Sequence, residues 1–209
     1  FCAGGDLEWM RSQAAADQAA RRAEAARLAG MLAALDRLPK PLIGRVQGNA
    51  FGGGVGLMAV CDSAVGVTDA AFALTETRLG LIPATIAPYV VARIGAPAMR
   101  RHALAGARFG AAAAVAMGLL ACAVEPDNLD AALAAEVDAA LAAAPGAVAE
   151  TKALIAQLAG AVTPATIADS VEALVARWQS AEAEAGLAAF FARTPPPWVR
   201  LRGDRDEAG

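Results

Sequence analysis

The chain has 209 residues, enough for one large domain or one domain with a helical appendage. Hydrophobic residues make up 57%, much of it alanine, and aromatic residues only 5%, which favours closely packed helices over an aromatic-rich β-sandwich. A formal net charge of −3, with no basic run interleaved with aromatics, excludes a nucleic-acid partner.

Residues Asp6 to Leu38 are helical in composition, with Asp6 placed to cap the start and Ala25, Leu28, Leu32 and Leu35 holding the 3.6-residue period. Pro39 and Pro41 stop that helix, and Leu42 to Val46 reads as a short buried strand. Glycines follow in "FGGGVG", then about two helical turns to Cys61 and strands at Ala64–Val67 and Ala71–Leu74. Ile86 to Ile94 and Pro97 to Leu104 read as two helices separated by Gly95. Beyond them the chain is mostly helix. Ala111–Met117 ends at Gly118, and Asp127 is placed to cap a helix striped by Leu129, Leu133, Val137 and Leu141. Pro145-Gly146 breaks that helix, and another runs through Lys152 to Leu158. Thr163-Pro164 opens a last long helix carrying Ile167, Val171, Leu174 and Trp178 on one face, which "TPPPW" ends. "VRLRGDRDEAG" reads as a disordered polar tail.

Cys2, Cys61 and Cys122 are odd in number and widely spaced, and they read as small buried hydrophobes in a reducing compartment. His102 is the only histidine, so no zinc site is expected, and a Ser-His-Asp triad would lack its GxSxG elbow. No uninterrupted apolar run reaches the length of a transmembrane helix, and no signal peptide is visible; a cytoplasmic protein is expected. The chain begins at Phe1 inside a motif, which predicts a missing N-terminal segment.

The glycines carry the chemistry. A strand, then glycines, then a helix leaves free backbone N–H groups aimed at whatever docks there. One guest is a pyrophosphate, because Gly54-x-Gly56-x-x-Ala59 matches the dinucleotide fingerprint and Glu76 follows about twenty residues on. Against this, the following helix is short for a crossover and Glu76 falls past the end of the next strand. The other guest is an oxygen that becomes negative during a reaction, held by Gly53 and by a second tight segment, for which "FCAGGDL" is the only candidate.

"FCAGGDL", "KPLIGRVQGNAFGGGVGL", "CD", "FALTETRLGLIP" and "FFARTPPPW", in that order, resemble the enoyl-CoA hydratase/isomerase (crotonase) superfamily from Phe1 to Trp198. "AGGDLEWM" and "LTETRLGLIPATIAPYVVARIG" are most similar to hydratases of branched, carboxylated enoyl-CoAs, the methylglutaconyl-CoA and isohexenylglutaconyl-CoA hydratases. The resemblance implies an α/β fold. A crotonase-like ββα spiral core with CoA and oxyanion sites would span residues 1–125, lacking its first turns. An oligomerising helical region would span 126–198, before a tail at 199–209.

It further implies oxyanion-hole N–H groups from Gly5 and Gly53, and a catalytic carboxylate at Glu76. Ala3, Gly4, Asp6, Gly52, Gly54, Gly56 and Arg78 would bind substrate or CoA, with Arg93 an equal alternative to Arg78 for a carboxylated tail. Arg11 is a candidate for the CoA phosphates, and Phe190 and Phe191 for covering CoA or packing in an interface. The family's other glutamate falls on Gly56, whose missing side chain is expected to open space beside the acyl chain. The activity implied is hydration of the C2=C3 bond of an enoyl-CoA, with isomerisation by a single glutamate or non-catalytic CoA binding as alternatives. No cofactor beyond the substrate's own CoA, no metal and no membrane partner are expected, and the assembly implied is a homotrimer or hexamer.

Overall fold

A computed structural model describes residues 1–159 and 162–199. The first helical stretch is two helices, α1 (Leu7–Ala15) and α2 (Gln18–Asp36), where one was expected. Asp6 caps α1 by accepting from Trp9 N–H at 2.8 Å, and Asp17 caps α2 through Ala20 N–H at 2.8 Å. The break is held by Arg21 of α2, which donates to the carbonyls of Gln13 and Ala14 at the end of α1, where the Ala16 N–H also reaches Gln13 O.

Strand β1 (Ile43–Val46) leads to a two-residue β2 (Ala50–Phe51), then α3 (Gly53–Ala59), β3 (Ser63–Val67) and β4 (Ala71–Ala73). A one-turn 3-10 helix (Glu76–Leu79) follows, then α4 (Ala87–Ala105), which bends at Gly95, where φ is 74° and ψ 159°. The rest is β5 (Phe109–Gly110), α5 (Ala111–Ala116), β6 (Cys122–Val124), α6 (Leu129–Leu141), α7 (Pro145–Leu158), α8 (Pro164–Trp178) and α9 (Ala181–Ala192). The strands form two three-stranded sheets, a parallel β1-β3-β6 and a mixed β2-β4-β5 whose β4-β5 pair is antiparallel. Cys2 bridges Ala50 in parallel, so the first residues run along the free edge of β2. That edge and the end of β4 frame the glycines.

One core cluster, including Leu32, Val46, Val55, Met58, Phe72, Leu74, Leu119 and Leu129, joins the sheets to α2–α6. Two satellite clusters bring α8 and α9 back over the front of the molecule. Ala25, Ala29, Val171 and Val175 zip α2 to α8, and Met10, Leu81, Trp178 and Leu187 join α1 and the Glu76 region to α8 and α9.

The C-terminal half differs from expectation in three places. Asp127 lies inside a 3-10 turn (Pro126–Asn128), so Asn128, with no side-chain cap, precedes α6. Leu129 is buried, but the rest of its stripe emerges until Leu141 is 76% exposed. Finally, Ser180 accepts from Ala183 N–H and starts α9 as a separate helix, where α8 was expected to run on. Thr163 and Thr166 do form the capping box that opens α8. The tail expected at 199–209 lies outside the described residues beyond Val199.

Candidate active site

Between β2 and α3 the chain turns through Gly52, whose φ of 50° and ψ of −116° suit glycine alone. A Cβ at Gly52 would stand 2.8 Å from Glu76 Oε1, so the missing side chain is what lets the carboxylate sit against the loop. Gly53 is the first residue of α3; a Cβ there would meet nothing within 4 Å, and its N–H reaches no backbone acceptor among the described residues. On the facing segment Gly4 takes φ 100° to pass over Phe51 O, and the N–H of Gly5 likewise has no backbone acceptor among the described residues. Two unspent N–H groups thus come from two short segments that the Cys2–Ala50 bridge holds side by side.

Glu76 opens the 3-10 turn, and its main-chain carbonyl accepts from Leu81 N–H at 3.0 Å. Its Oε2 is sealed from solvent and has no hydrogen-bond partner among the described residues. Burial, opposed only by the residue's own main-chain N–H, pushes the carboxyl up to about 7. A carboxyl in that range can take and return a proton near neutrality, and a lone buried acid is costly to keep without such a use.

Glu76, Gly5 and Gly53 share one cavity of about 860 Å³ with Ala3, Gly4, Asp6, Gly52 and Arg78. Trp9, Met10, Leu28, Trp178 and Phe190 give it an apolar wall. Asp6 is engaged in capping α1, which leaves its carboxylate a local structural partner.

Gly54 and Gly56 do not line the cavity, contrary to their expected binding roles. A Cβ at Gly54 would stand 2.7 Å from Cys2 O and 2.9 Å from Cys2 Cβ, so this glycine lets the first strand-like segment lie on α3. A Cβ at Gly56 would overlap Ile86 Cγ2 and stand 2.8 Å from Ile86 Cβ. The expected opening beside the acyl chain is therefore filled by Ile86, which is 2% exposed. The phosphate-cradle reading of Gly54-x-Gly56 loses its basis for the same reason: both glycines serve packing.

The arginines divide differently from expectation. Arg78 lines the cavity and leans on Ala105 O at 3.4 Å. Arg93 instead donates to the carbonyls of Cys61 and Asp62 and does not line it. Arg11 lies over the Phe191 ring at 4.7 Å, while Phe190 reaches the cavity. Arg108, which the sequence did not single out, also lines the cavity, its guanidinium 5.3 Å above the Phe51 ring. His102 packs against Phe109 with ring centroids 4.4 Å apart and planes tilted by 45°, and burial lowers its pKa, which fits a neutral core histidine. Among the described residues no cluster of three His, Cys, Asp or Glu could hold a metal. No single helix among them is long and apolar enough to cross a membrane.

Comparison with known proteins gives a consistent result. The sequence model of a family described as enoyl-CoA hydratase/isomerase matches residues 1–200. The enoyl-CoA hydratase AKT6-1 of Alternaria alternata is 36% identical over 120 residues, covering 57% of this chain and 38% of that protein. The methylglutaconyl-CoA hydratase 1 of Pyricularia oryzae is 35% identical over 158 residues, covering 74% of this chain and 44% of that protein. A crystal structure of an enoyl-CoA hydratase from Shewanella pealeana shares 40% identity with a TM-score of 0.72, over 93% of this chain and 73% of that one. The chain spans between 38% and 42% of the length of the first curated relatives it matches.

Proposed function

Because this chain belongs to the enoyl-CoA hydratase/isomerase family and has its crotonase fold, we propose that it forms the catalytic part of a hydratase that adds water across the C2=C3 bond of an enoyl-CoA. The observation that carries this reading is the buried carboxyl of Glu76, whose Oε2 has no partner among the described residues, in one cavity with the unspent N–H groups of Gly5 and Gly53.

The thioester oxygen would sit on the two N–H groups, which bind it more strongly as it gains charge. Glu76, as carboxylate, takes a proton from water while the water oxygen bonds to C3. The C2=C3 electron pair moves toward C2 and the thioester oxygen, giving an enolate. The carboxyl so formed returns that proton to C2, and the product is a 3-hydroxyacyl-CoA with Glu76 restored. One carboxylate therefore completes the cycle.

A branched acyl chain bearing its own carboxylate is the substrate class favoured here. The Pyricularia relative is a methylglutaconyl-CoA hydratase, and glutaconyl chains carry such a group. Arg78 and Arg108 on the cavity wall are the cations that would meet it. Isomerisation is the second reading, favoured by the missing carboxylate at position 56: with Gly56 packed on Ile86, Glu76 alone could move a proton between C2 and C4.

Assembly as a homotrimer or hexamer belongs to the same reading. The exposed Leu141, Leu154, Ile155 and Leu158 on α6 and α7, which meet at 99°, support it. Loss of the conjugated-thioester absorbance of crotonyl-CoA and methylglutaconyl-CoA, with mass analysis of the product, tests the reaction. A hydrated product is expected. An isomerised 3-enoyl substrate with no hydration would select the second reading, and neither product would leave CoA binding alone.

A further inference from the structure

The turn that carries Glu76 is gripped from two sides. From α4, Ala103 O accepts from Thr77 Oγ1 at 2.9 Å and Ala105 O accepts from Arg78 Nε at 3.4 Å. From the opposite side comes the corner between α8 and α9. Arg177 Nε donates to Gly80 O at 2.5 Å, and the same guanidinium pairs with Glu182 in the first turn of α9. Backbone meets backbone there: a Cβ on Gly80 would overlap Glu182 O, and a Cβ on Gly186 would overlap Leu79 O. Gly80 is the left-handed residue that ends the turn, with φ 73°. A single 3-10 turn is weakly held by its own hydrogen bonds, so external contacts decide whether it stays closed.

We propose that Arg177 is a positioning residue for Glu76: clamped by Glu182, it draws the Gly80 carbonyl onto the α8–α9 corner and keeps the turn closed over the Glu76 carboxyl. This rests on the reading of Glu76 as the acid and base. Arg177 acts at a distance, through main chain, and does not line the main cavity. The charged groups that line the same cavity as Glu76 are Arg78 on its own turn, Arg108 before β5, Asp6 before α1, and Glu24 and Arg27 on α2, while Arg177 and Glu182 line a separate pocket at the corner. Among the described residues none hydrogen-bonds Oε2 of Glu76, and burial, with no neighbouring charge, is what raises its carboxyl, so loosening the turn that carries it would be felt there. The C-terminal helices would then belong to the catalytic mount as well as to any assembly surface.

The test compares Arg177→Gln, Arg177→Lys and Glu182→Gln in the full chain. Two readouts are used: the pH dependence of crotonyl-CoA turnover, and the carbon-13 titration of the Glu76 carboxyl, identified by its loss in Glu76→Gln. For Arg177→Gln the expectation is a fall in kcat of about 10²-fold, the scale for a misplaced catalytic group, with KM largely kept. Its titration midpoint should drop from about 7 toward the ordinary glutamate range as water enters. Arg177→Lys, which keeps a donor, should recover most of both, and Glu182→Gln should lie between. An unchanged midpoint in Arg177→Gln, whatever its kcat, would reduce Arg177 to a fold-stabilising residue and overturn the proposal. Should Arg177→Gln not fold, unchanged midpoints in both other variants would overturn it equally. Full activity in Glu76→Gln would instead sink the catalytic reading, while the carboxyl titration would still report whether Arg177 closes the turn.

Discussion

Substituting Gly56 by alanine should destabilise the protein, although alanine is the better helix former. The added methyl would overlap Ile86 Cγ2 and lie 2.8 Å from Ile86 Cβ, and both are branch-point atoms close to the backbone, not the far end of a flexible chain, in a residue packed in the main core. Overpacking of this kind costs about 1–3 kcal/mol. The gain in helix propensity over glycine offsets at most about 1 kcal/mol. With the full offset a net loss of up to about 2 kcal/mol remains, or a fall in Tm of up to roughly 8 °C for a chain of this size. Thermal unfolding by circular dichroism of the single variants and of Gly56→Ala/Ile86→Ala measures it. Ile86→Ala alone should cost about 2–5 kcal/mol as a buried truncation. The double variant should be more stable than the sum of the singles, because the new methyl then enters the space Ile86 leaves. A rise in Tm for Gly56→Ala, or strict additivity in the cycle, would refute the packing explanation. By the same reasoning Gly56→Glu should not restore a working second carboxylate while Ile86 is present.

Three further outcomes follow from the geometry. Gly53→Val should lower turnover by about 10²–10³-fold with the fold intact, because its side chain would enter the cavity where the thioester docks and keep the oxygen off the Gly53 N–H, which valine itself retains; near wild-type rates would mean that the glycine loop serves another purpose. Stability should also depend on Glu76, whose carboxyl titrates at about 7 when folded against a usual 4.5. Between those values the folded chain holds a proton that the unfolded chain has released, so its contribution is full at low pH and is lost as pH rises through about 7, by up to about 1.4 kcal/mol per pH unit. Urea unfolding at pH 5 and pH 8 should show Glu76→Gln gaining relative to wild type at the higher pH, and an equal offset at both would contradict the burial. Light scattering should report an oligomer that Leu141→Glu with Leu158→Glu weakens; a wild-type monomer would contradict the assembly reading.

Periodicity and punctuation made much of the fold legible. Leu42–Val46 gave β1, Gly95 marked the bend of α4, and Thr163-Pro164 marked the cap of α8. β2, β5 and β6 were not, because strands of two or three residues are too short for an alternation to register, and these three, unlike the equally short β4, merge in sequence with glycine- or alanine-rich neighbours. The break at Ala16-Asp17 depends on Arg21 reaching back, and Ser180 ends one alanine-rich helix and begins another, so neither shows in composition.

At the site, the segments whose backbone does the work were readable as motifs, because glycines at Gly52 and Gly53 leave a mark in the sequence. What fills a missing side chain leaves none. Gly56 looked like an opening until Ile86 was found in it. Arg108 and Arg177 were invisible for a related reason: both act through contacts distant in sequence, on Phe51 and on Gly80.

The most direct test of the proposed chemistry is turnover of an enoyl-CoA by Glu76→Gln beside wild type. Glutamine keeps the side chain's shape but cannot carry the proton. The expected result is a loss of about 10²–10⁴-fold in kcat with acyl-CoA binding retained. In the wild type, kcat/KM should rise with pH through about 7 as the carboxylate forms. Full activity in Glu76→Gln would contradict the assignment.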